Sequence, residues 1–561
     1  MKYLFLFLFS LLHMAGMDAQ GKVVIPNPEN FPEPVALDYT SCEQLGTMIH
    51  RTMYLLESSK PGYRRKVKIA IYGQSLSDEN NYWWRDLYAA LKCAYSNADI
   101  EVRCLGVGGF ATATLWRTAY ADMAAYYPDL VILCVSGHHT YYETILRFIR
   151  GCTTAEMLVQ TDVIGGKTGE GEGCAWKADL NDMNDWSNRT SFRALPEFCQ
   201  RYHLELENRK QEWYDYLKAN CYSPMSGQLL QADGGHLAAQ GQYLTASLAA
   251  RHFRYTPDAS PDPYGTVTVY RPGTDVEISG NTLTIPVNGN RIDVIVANGK
   301  GGREKLELLV DGKKPSSFPG CYKNSRAIVY DSFWNGGIAQ TFGTSVDLQE
   351  EEWRIDMDSD GHFTLNGSKT GFDGYGTIAQ RFESNSGRIV IRAEDWFKGS
   401  TELKDRSFIF QTKLFAHDEF LLPSHQSVLE ENIITLAQGL PNGKHEITLT
   451  GAVERIKEIH VRKPPFQLTL NVDHSVLNFA KEGGKAGITI SSNTYWQVYN
   501  RTSWLQIDAL DNNHGEGLSD NLTLTVTATP NDTGKPRTAS FLLVGIGVAP
   551  LTITVSQLPS N

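Results

Sequence analysis

The feature that most constrains this chain is a change of periodicity near Pro257. Before it, continuous apolar runs alternate with stretches whose large side chains recur at helical spacing. Val67–Tyr72, Ile100–Leu105, Leu130–Val135 and Met157–Thr161 read as strands, and about 81–95, 112–127, 142–150, 202–220 and 238–253 as helices. Trp84, Leu87, Leu91 and Tyr95, for example, fall on one helical face. Strands alternating with helices predict a parallel sheet covered on both faces, and unbroken apolar runs suit strands buried on both sides. In such sheets ligands bind beyond the carboxyl ends of the strands. After Pro257 the helices stop. Short runs such as Thr266–Tyr270, Thr282–Pro286, Asp293–Ala297 and Lys305–Val310 follow, with turn signals at Asn288-Gly289 and Asp311-Gly312. Later runs at Gly387–Arg392 and His445–Thr450 continue the pattern. This predicts a β-sandwich or jelly roll over about 258–463, with room for two small sheets. Lys463-Pro-Pro465 then marks a stiff linker to a last module at 466–561. A chain of 561 residues needs more than one core.

Composition narrows the function. The net charge is -11 and no dense basic patch occurs, which argues against nucleic acid as a partner. Residues 1–19 read as a secretory signal, with Lys2 ahead of an apolar run too short to cross a bilayer. No cysteine stands at the expected cleavage point near Ala19, and no later run is long enough to span a membrane. The expectation is an exported protein, periplasmic or at the cell surface, without membrane insertion. Nine cysteines fit export, eight of them before residue 222. Cys134 lies in an apolar strand and reads as a buried thiol; Cys152 and Cys174 bracket a Gly-rich loop and are the expected bridge. No Cys-x-x-Cys or His-x-His pair occurs, and no metal or cofactor is expected. The loop Gly165–Gly173 contains Gly-Lys-Thr but has Thr161 where a phosphate-binding loop needs glycine, so it reads as a lip over the site. Asp179–Asn188 and Asp356–Gly361 both depart from the EF-hand pattern, the latter with Gly367 at its twelfth position. They read as a loop and a hairpin turn.

Two motifs carry chemistry. In Gly73-Gln-Ser75 a serine ends the first strand just before a helix, where a hydroxyl is exposed beside free backbone N–H groups. In Asp233-Gly-Gly-His236, just before the last helix of this half, the imidazole suits a general base and the carboxylate can hold its other nitrogen. Both motifs fall at the same edge of the inferred sheet.

On these residues the first half resembles the SGNH/GDSL hydrolases, esterases with a three-layer flavodoxin-like α/β fold. Gly73-Gln74-Ser75 matches the first block, with Gln74 where aspartate is commoner. Gly108-Gly109-Phe-Ala-Thr112 matches the second, and Asp233-Gly-Gly-His236-Leu the fifth. The third block departs: Gly137-His-His-Thr140 puts His139 where the family has asparagine. The resemblance covers roughly 60–255. It implies a hydrolase domain at 20–257, after the signal segment 1–19, with a catalytic triad of Ser75, His236 and Asp233, and an oxyanion hole of the Ser75 and Gly109 N–H groups with His139. Trp83 and Trp84 follow the nucleophile and are candidates for a sugar platform, although adjacent tryptophans on a helix also suit a core. Trp116, Tyr141 and Trp186 are candidate rim aromatics. Gly439–Leu449 resembles jelly-roll modules attached to carbohydrate esterases, where bracing or completing the cleft is favoured over independent binding. The last segment, about Gln467–Gln557, resembles the BACON module of exported Bacteroidetes glycan-degrading proteins, an Ig-like sandwich; its Trp496 and Trp504 suit core positions. Together these imply an exported carbohydrate esterase acting on a polysaccharide, with pectic acetyl esters as the first expectation. The alternatives are a methylesterase or other esterase of the same fold, and a glycan-binding scaffold whose hydrolase half has decayed, the sign being His139.

Overall fold

The structure, a computed structural model, describes residues 23–37, 45–78, 80–165, 168–297, 304–329, 348–396, 403–423, 433–513 and 517–559. The segment read as a secretory signal, Cys42, and Gly166-Lys167 of the lip lie outside the described residues.

The first half is built on five parallel strands: β1 (Lys66–Gly73), β2 (Asp99–Cys104), β3 (Leu130–Cys134), β4 (Glu156–Gln160) and β5 (Glu205–Glu207). Their order is β2-β1-β3-β4-β5, with Ile69 of β1 paired to both Val102 and Leu130. This is the doubly wound order with its switch point between β1 and β3. Helices α1 (His50–Glu57), α2 (Trp83–Ala94), α3 (Thr112–Tyr126), α4 (His139–Cys152), α5 (Trp186–Arg189), α6 (Leu195–Tyr202), α7 (Arg209–Ala219) and α8 (Ala239–Ala250) complete it. Alternate strand residues enter opposite cores, as a period of two requires. Ile69, Ile71, Leu130 and Ile132 pack with Leu87 of α2 and Leu244 of α8. Ala70, Tyr72, Val131 and Leu133 pack with Trp116 of α3 and Ile145 of α4. The long helix expected over 202–220 is instead broken: His203 takes a left-handed φ of 54° that ends α6, and Glu205–Glu207 supplies the edge strand β5 before α7 begins. Three residues of strand carry too little periodicity to stand out beside two helices.

The region after 257 holds two antiparallel bodies, one inserted in the other. Strands β6 (Val267–Tyr270), β7 (Thr282–Val296) and β8 (Lys305–Val310) form a sheet that β17 (Glu419–Leu421), β18 (Ile433–Gly451) and β19 (Ile456–Arg462) complete. Between them run β9 (Tyr322–Asn324), β10 (Ile328–Val329), β11 (Glu351–Met357), β12 (His362–Gly367), β13 (Gly371–Thr377) and β16 (Ser407–Leu414), a second sheet with its own core around Trp353, Phe363 and Phe408. A short pair, β14 (Phe382–Glu383) and β15 (Val390–Ile391), lies within the insertion. Asn288-Gly289 is not a turn, because β7 runs through it. A Cβ on Gly289 would lie 2.4 Å from the Arg462 carbonyl oxygen, so this glycine serves close approach of the neighbouring strand. Asp311-Gly312 is the expected turn, with φ of 50° and 71°, and Asp358–Gly361 turns the β11–β12 hairpin.

The last module has two four-stranded sheets. One contains β20 (Leu470–Val472), β22 (Gly484–Ser492), β24 (Leu505–Ile507) and β25 (Asn521–Ala528); the other contains β21 (Val476–Phe479), β23 (Trp496–Tyr499), β26 (Arg537–Gly545) and β27 (Leu551–Gln557). They share a core containing Ile488, Trp496, Leu524 and Phe541. Trp496 is fully buried and Trp504 is half-buried under the Arg537 guanidinium.

The β-modules pack against the α3–α4 layer. Leu468, Tyr495 and Ile546 enter that core, and Leu468 lies where Gly151 of α4 leaves room: a Cβ there would be 2.5 Å from its Cγ. Arg117 of α3 pairs with buried Asp395 at 3.0 Å, and Asp395 also holds Arg392, which donates to Tyr495. One network therefore joins all three regions.

The disulfide differs from expectation. Cys174 bonds Cys221, while Cys152 is a free thiol at the end of α4, buried in the α3–α4 core. Cys134 is buried and unbridged, its sulfur 2.8 Å from Arg209 Nη2. Among the described residues no helix is long and apolar enough to cross a membrane, and no cluster of potential metal ligands occurs.

Candidate active site

The position of Ser75 is created by a strand end that only glycine allows. Gly73 has φ 149°, and a Cβ there would lie 1.8 Å from the Cys134 carbonyl oxygen. Gln74 N–H then donates to that carbonyl at 3.2 Å, and Ser75 opens a single 3-10 turn, Ser75–Ser77. The second-block loop packs directly on this turn, since a Cβ on Gly106 would meet the Ser77 carbonyl oxygen at 1.9 Å. Gly109 is left-handed, with φ 82°. Neither the Ser75 N–H nor the Gly109 N–H has a hydrogen-bond partner among the described residues.

Asp233 and His236 lie on a tight loop closed by the Gln231 N–H to His236 carbonyl bond at 2.8 Å. Asp233 Oδ1 accepts from the Gly235 and His236 N–H groups at 2.9 and 3.0 Å, and Oδ2 accepts from His236 Nδ1 at 2.6 Å. The His236 and Gly235 N–H groups, with the imidazole, hold the Asp233 carboxyl well below the usual carboxylate range. An ionised carboxylate on Nδ1 fixes the proton there and leaves Nε2 as the basic nitrogen. Ser75 and His236 line one cleft of about 350 Å³, with Gln74, Asp162, Thr168 and Ser187 among its other walls. The cleft lies beyond the carboxyl ends of β1 and β4, beside the switch point.

A buried network fixes the Ser75 turn to the helix that follows the His236 loop. Asn81 Nδ2 donates to the Ser75 carbonyl, and its Oδ1 accepts from Gln242 Nε2 at 2.8 Å. Gln242 Oε1 in turn accepts from the Trp83 N–H at 3.0 Å. These residues went unread in the sequence; a polar Asn81 at the head of a helix and a Gln242 inside an apolar one were the available signals. Beside them Ser136 N–H donates to Gln74 Oε1 at 3.4 Å and Ser136 Oγ donates to Asp162 at 3.3 Å.

Several expected site residues lie elsewhere. Trp83 and Trp84 are not a sugar platform: both are buried, and their Nε1–H groups donate to the carbonyls of Leu76 and Asp78 at 2.7 and 3.4 Å. They brace the Ser75–Ser77 turn from beneath. Trp116 and Tyr141 are buried and stacked on each other, whereas Trp186 is exposed. His139 does not line the cleft. Its Nε2 is 2.8 Å from Thr190 Oγ1, and that hydroxyl gives its one proton to the Trp186 carbonyl at 2.8 Å. The hydroxyl therefore accepts from Nε2–H. Burial, then the nearby His138 and Arg189, push the His139 imidazole below its usual value. A neutral imidazole has one N–H, and here it is spent on Thr190. The asparagine position of the third block thus holds a side chain with no proton left for an oxyanion.

The cleft is lined by residues of the first half, so the β-modules brace the opposite layer rather than wall the described cleft. A family described as "BACON: Putative binding domain, N-terminal" matches residues 486–558, within the segment expected to be BACON-like. No curated protein matches the chain. Among solved structures, a xyloglucanase of Bacteroides ovatus, in complex with a heptasaccharide, is 26% identical with a TM-score of 0.15, over 17% of this chain and 19% of that one. A two-domain esterase active on acetylated mannans, crystallised with mannopentaose, is 13% identical with a TM-score of 0.29, covering 75% of this chain and 96% of its own. A catalytic mutant of an acetylxylan esterase from Geobacillus stearothermophilus is 15% identical with a TM-score of 0.28, over 34% and 95%. This chain spans about a fifth of the xyloglucanase and nearly all of each esterase, at scores too low to assign a fold or reaction; the BACON match alone places a segment of the chain in a family.

Proposed function

We propose that the protein is a serine carbohydrate esterase of the SGNH type, releasing acetyl groups from a polysaccharide. The observation that carries this is the convergence in one cleft of Ser75 and an imidazole whose Nδ1 is held by an ionised carboxylate. Ser75 Oγ attacks the ester carbonyl while His236 Nε2 takes its proton. The free N–H groups of Ser75 and Gly109 receive the developing oxyanion. His236 then returns the proton to the departing sugar hydroxyl, and water repeats the sequence on the acyl-enzyme. Asp233 stays ionised and keeps the imidazole in the productive tautomer. Every group the steps need belongs to the chain itself. Export, and a glycan as the alcohol, are supported by the signal-like first residues and by the company of a BACON module; pectic esters are the first substrates to try, with acetylated xylan and mannan beside them.

The test is hydrolysis of p-nitrophenyl acetate and acetate release from these polysaccharides. Ser75→Ala is expected to abolish both, and Asp233→Asn to lower kcat about 10⁴-fold by leaving His236 in the wrong tautomer. Turnover surviving in Ser75→Ala would end the serine esterase reading. Glycan binding by a natural-sequence protein that hydrolyses no ester would favour the scaffold alternative.

A further inference from the structure

Trp83, Trp84, Trp116, Trp176 and Trp213 are all buried, while Trp186 is 43% exposed. It opens α5, and the next residue, Ser187, lines the cleft. Its placement is rigid. Asp185 caps the turn by accepting from the Asn188 N–H at 2.7 Å, and Asn188 Nδ2 holds the carbonyls of Asp179 and Asp182 at 3.0 and 3.2 Å. The indole is stacked on the His139 ring at 4.3 Å and 18°, with the Arg189 guanidinium carbon 5.3 Å from its centroid. His139 is in turn fixed by Thr190, which also holds the Trp186 carbonyl. A part-exposed indole one residue from the cleft wall and locked in orientation is suited to a ligand that is apolar on one face and polar at its edges, which would take the place of the Arg189 guanidinium over the ring. A pyranose ring is such a ligand: its C–H face packs on an indole while its hydroxyls meet polar walls, here Gln74, Asp162, Thr168 and Ser187.

We propose that Trp186, backed by His139, is the stacking platform for a pyranose ring of the substrate's sugar chain, and that His139 serves this platform instead of the oxyanion hole. This rests on the esterase reading for the identity of the cleft, and it fixes the alcohol side of the ester as a sugar.

Two measurements separate the proposal from that reading. Calorimetry on the Ser75→Ala protein, titrated with xylo-, manno- and galacturono-oligosaccharides, reads binding without turnover. Adding Trp186→Ala is expected to weaken the tightest of these about 10-fold, a stacking contribution of ordinary size. Kinetics on the Ser75 protein reads the other half. Trp186→Ala raises KM for an acetylated oligosaccharide about 10-fold and leaves p-nitrophenyl acetate turnover within about 2-fold. His139→Phe keeps the stack, loses every donor, and is expected to retain activity on both substrates. His139→Ala behaves like Trp186→Ala. Unchanged oligosaccharide binding and KM in Trp186→Ala would overturn the platform. A loss of about 10²–10³ in p-nitrophenyl acetate turnover in His139→Phe would return His139 to the oxyanion hole and overturn the second half. Turnover in Ser75→Ala would overturn the esterase reading alone, the calorimetric comparison still deciding the platform.

Discussion

The link from Gln242 to the nucleophile turn makes a strong prediction. Gln242→Leu fills similar space but leaves two buried groups without partners, the Trp83 N–H and Asn81 Oδ1. Asn81 is 3% exposed and Gln242 2%, so water cannot replace the lost bonds without entering the core. Each orphaned group costs about 1–3 kcal/mol, giving roughly 2–6 kcal/mol in all, a large part of a typical domain's stability. The functional loss follows through Asn81, whose amide then keeps only its 3.4 Å bond to Asp78 Oδ1 to orient it toward the Ser75 carbonyl. A shift of about 1 Å in a nucleophile can lower kcat by about 10². A second variant separates fold from position. Asn81→Asp still accepts from Gln242 and leaves the Trp83 N–H bonded, but turns an acceptor toward the Ser75 carbonyl and Asp78 Oδ1, so it disturbs the Ser75 turn directly. The assay is kcat and KM on p-nitrophenyl acetate beside thermal melting. Both variants are expected to lose kcat with KM little changed; Gln242→Leu also melts lower. If Asn81→Asp kept kcat within about 2-fold, the network would serve stability alone and the positioning argument would fail.

Two further outcomes concern stability. Burial would raise the Asp293 carboxyl, but Arg291 and Arg462 on either side outweigh it and hold it at about 2, against an ordinary 3.8. A depressed carboxyl stabilises above its unfolded pKa, so about 2 kcal/mol is present above pH 4 and lost between about pH 4 and 2. Urea midpoints at pH 7 and pH 3 should show part of this loss, and Asp293→Asn should shrink the difference between them while lowering stability at pH 7. Reduction of Cys174–Cys221, which closes a 47-residue separation, should cost about 4 kcal/mol by chain entropy. Because the bridge anchors the segment after the lip, p-nitrophenyl acetate activity at 25 °C should fall with it; melting temperature and rate unchanged by dithiothreitol would contradict both statements.

The readable parts of this chain share a cause. The cores of β1, β3 and β4 are apolar runs because both faces of the sheet are covered there, and that burial is written residue by residue; β2, at the edge, alternates with Glu101 and Arg103 instead. Gly73-Gln-Ser75 and Asp233-x-x-His236 were legible because each is a local device: a strand end that needs glycine, and a four-residue loop whose carboxylate reaches its own histidine. β5 was missed because its two buried residues are glutamates, Glu205 and Glu207, held by His252 and Gln160 rather than by an apolar run, and the insertion of β9–β16 inside another sheet was missed because nesting changes no local pattern. The bridge was misplaced because Cys152, near Cys174 in sequence, is buried in the α3–α4 core, whereas Cys174 lies exposed on the loop that meets Cys221.

Sequence by itself determined the alternation of strands and helices, the change to β-structure after Pro257, the spacing of the Ser75 and Asp233–His236 motifs, and the BACON segment. Each depends on residues within a few positions of one another. Tertiary structure alone decided which aromatic faces water, whether the His139 proton is free, what holds Ser75 to the last helix, and which layer the β-modules brace. Those are settled by contacts between residues tens to hundreds of positions apart, such as Asn81 with Gln242 and Arg117 with Asp395. Neither local propensity nor motif spacing encodes who the distant partner will be.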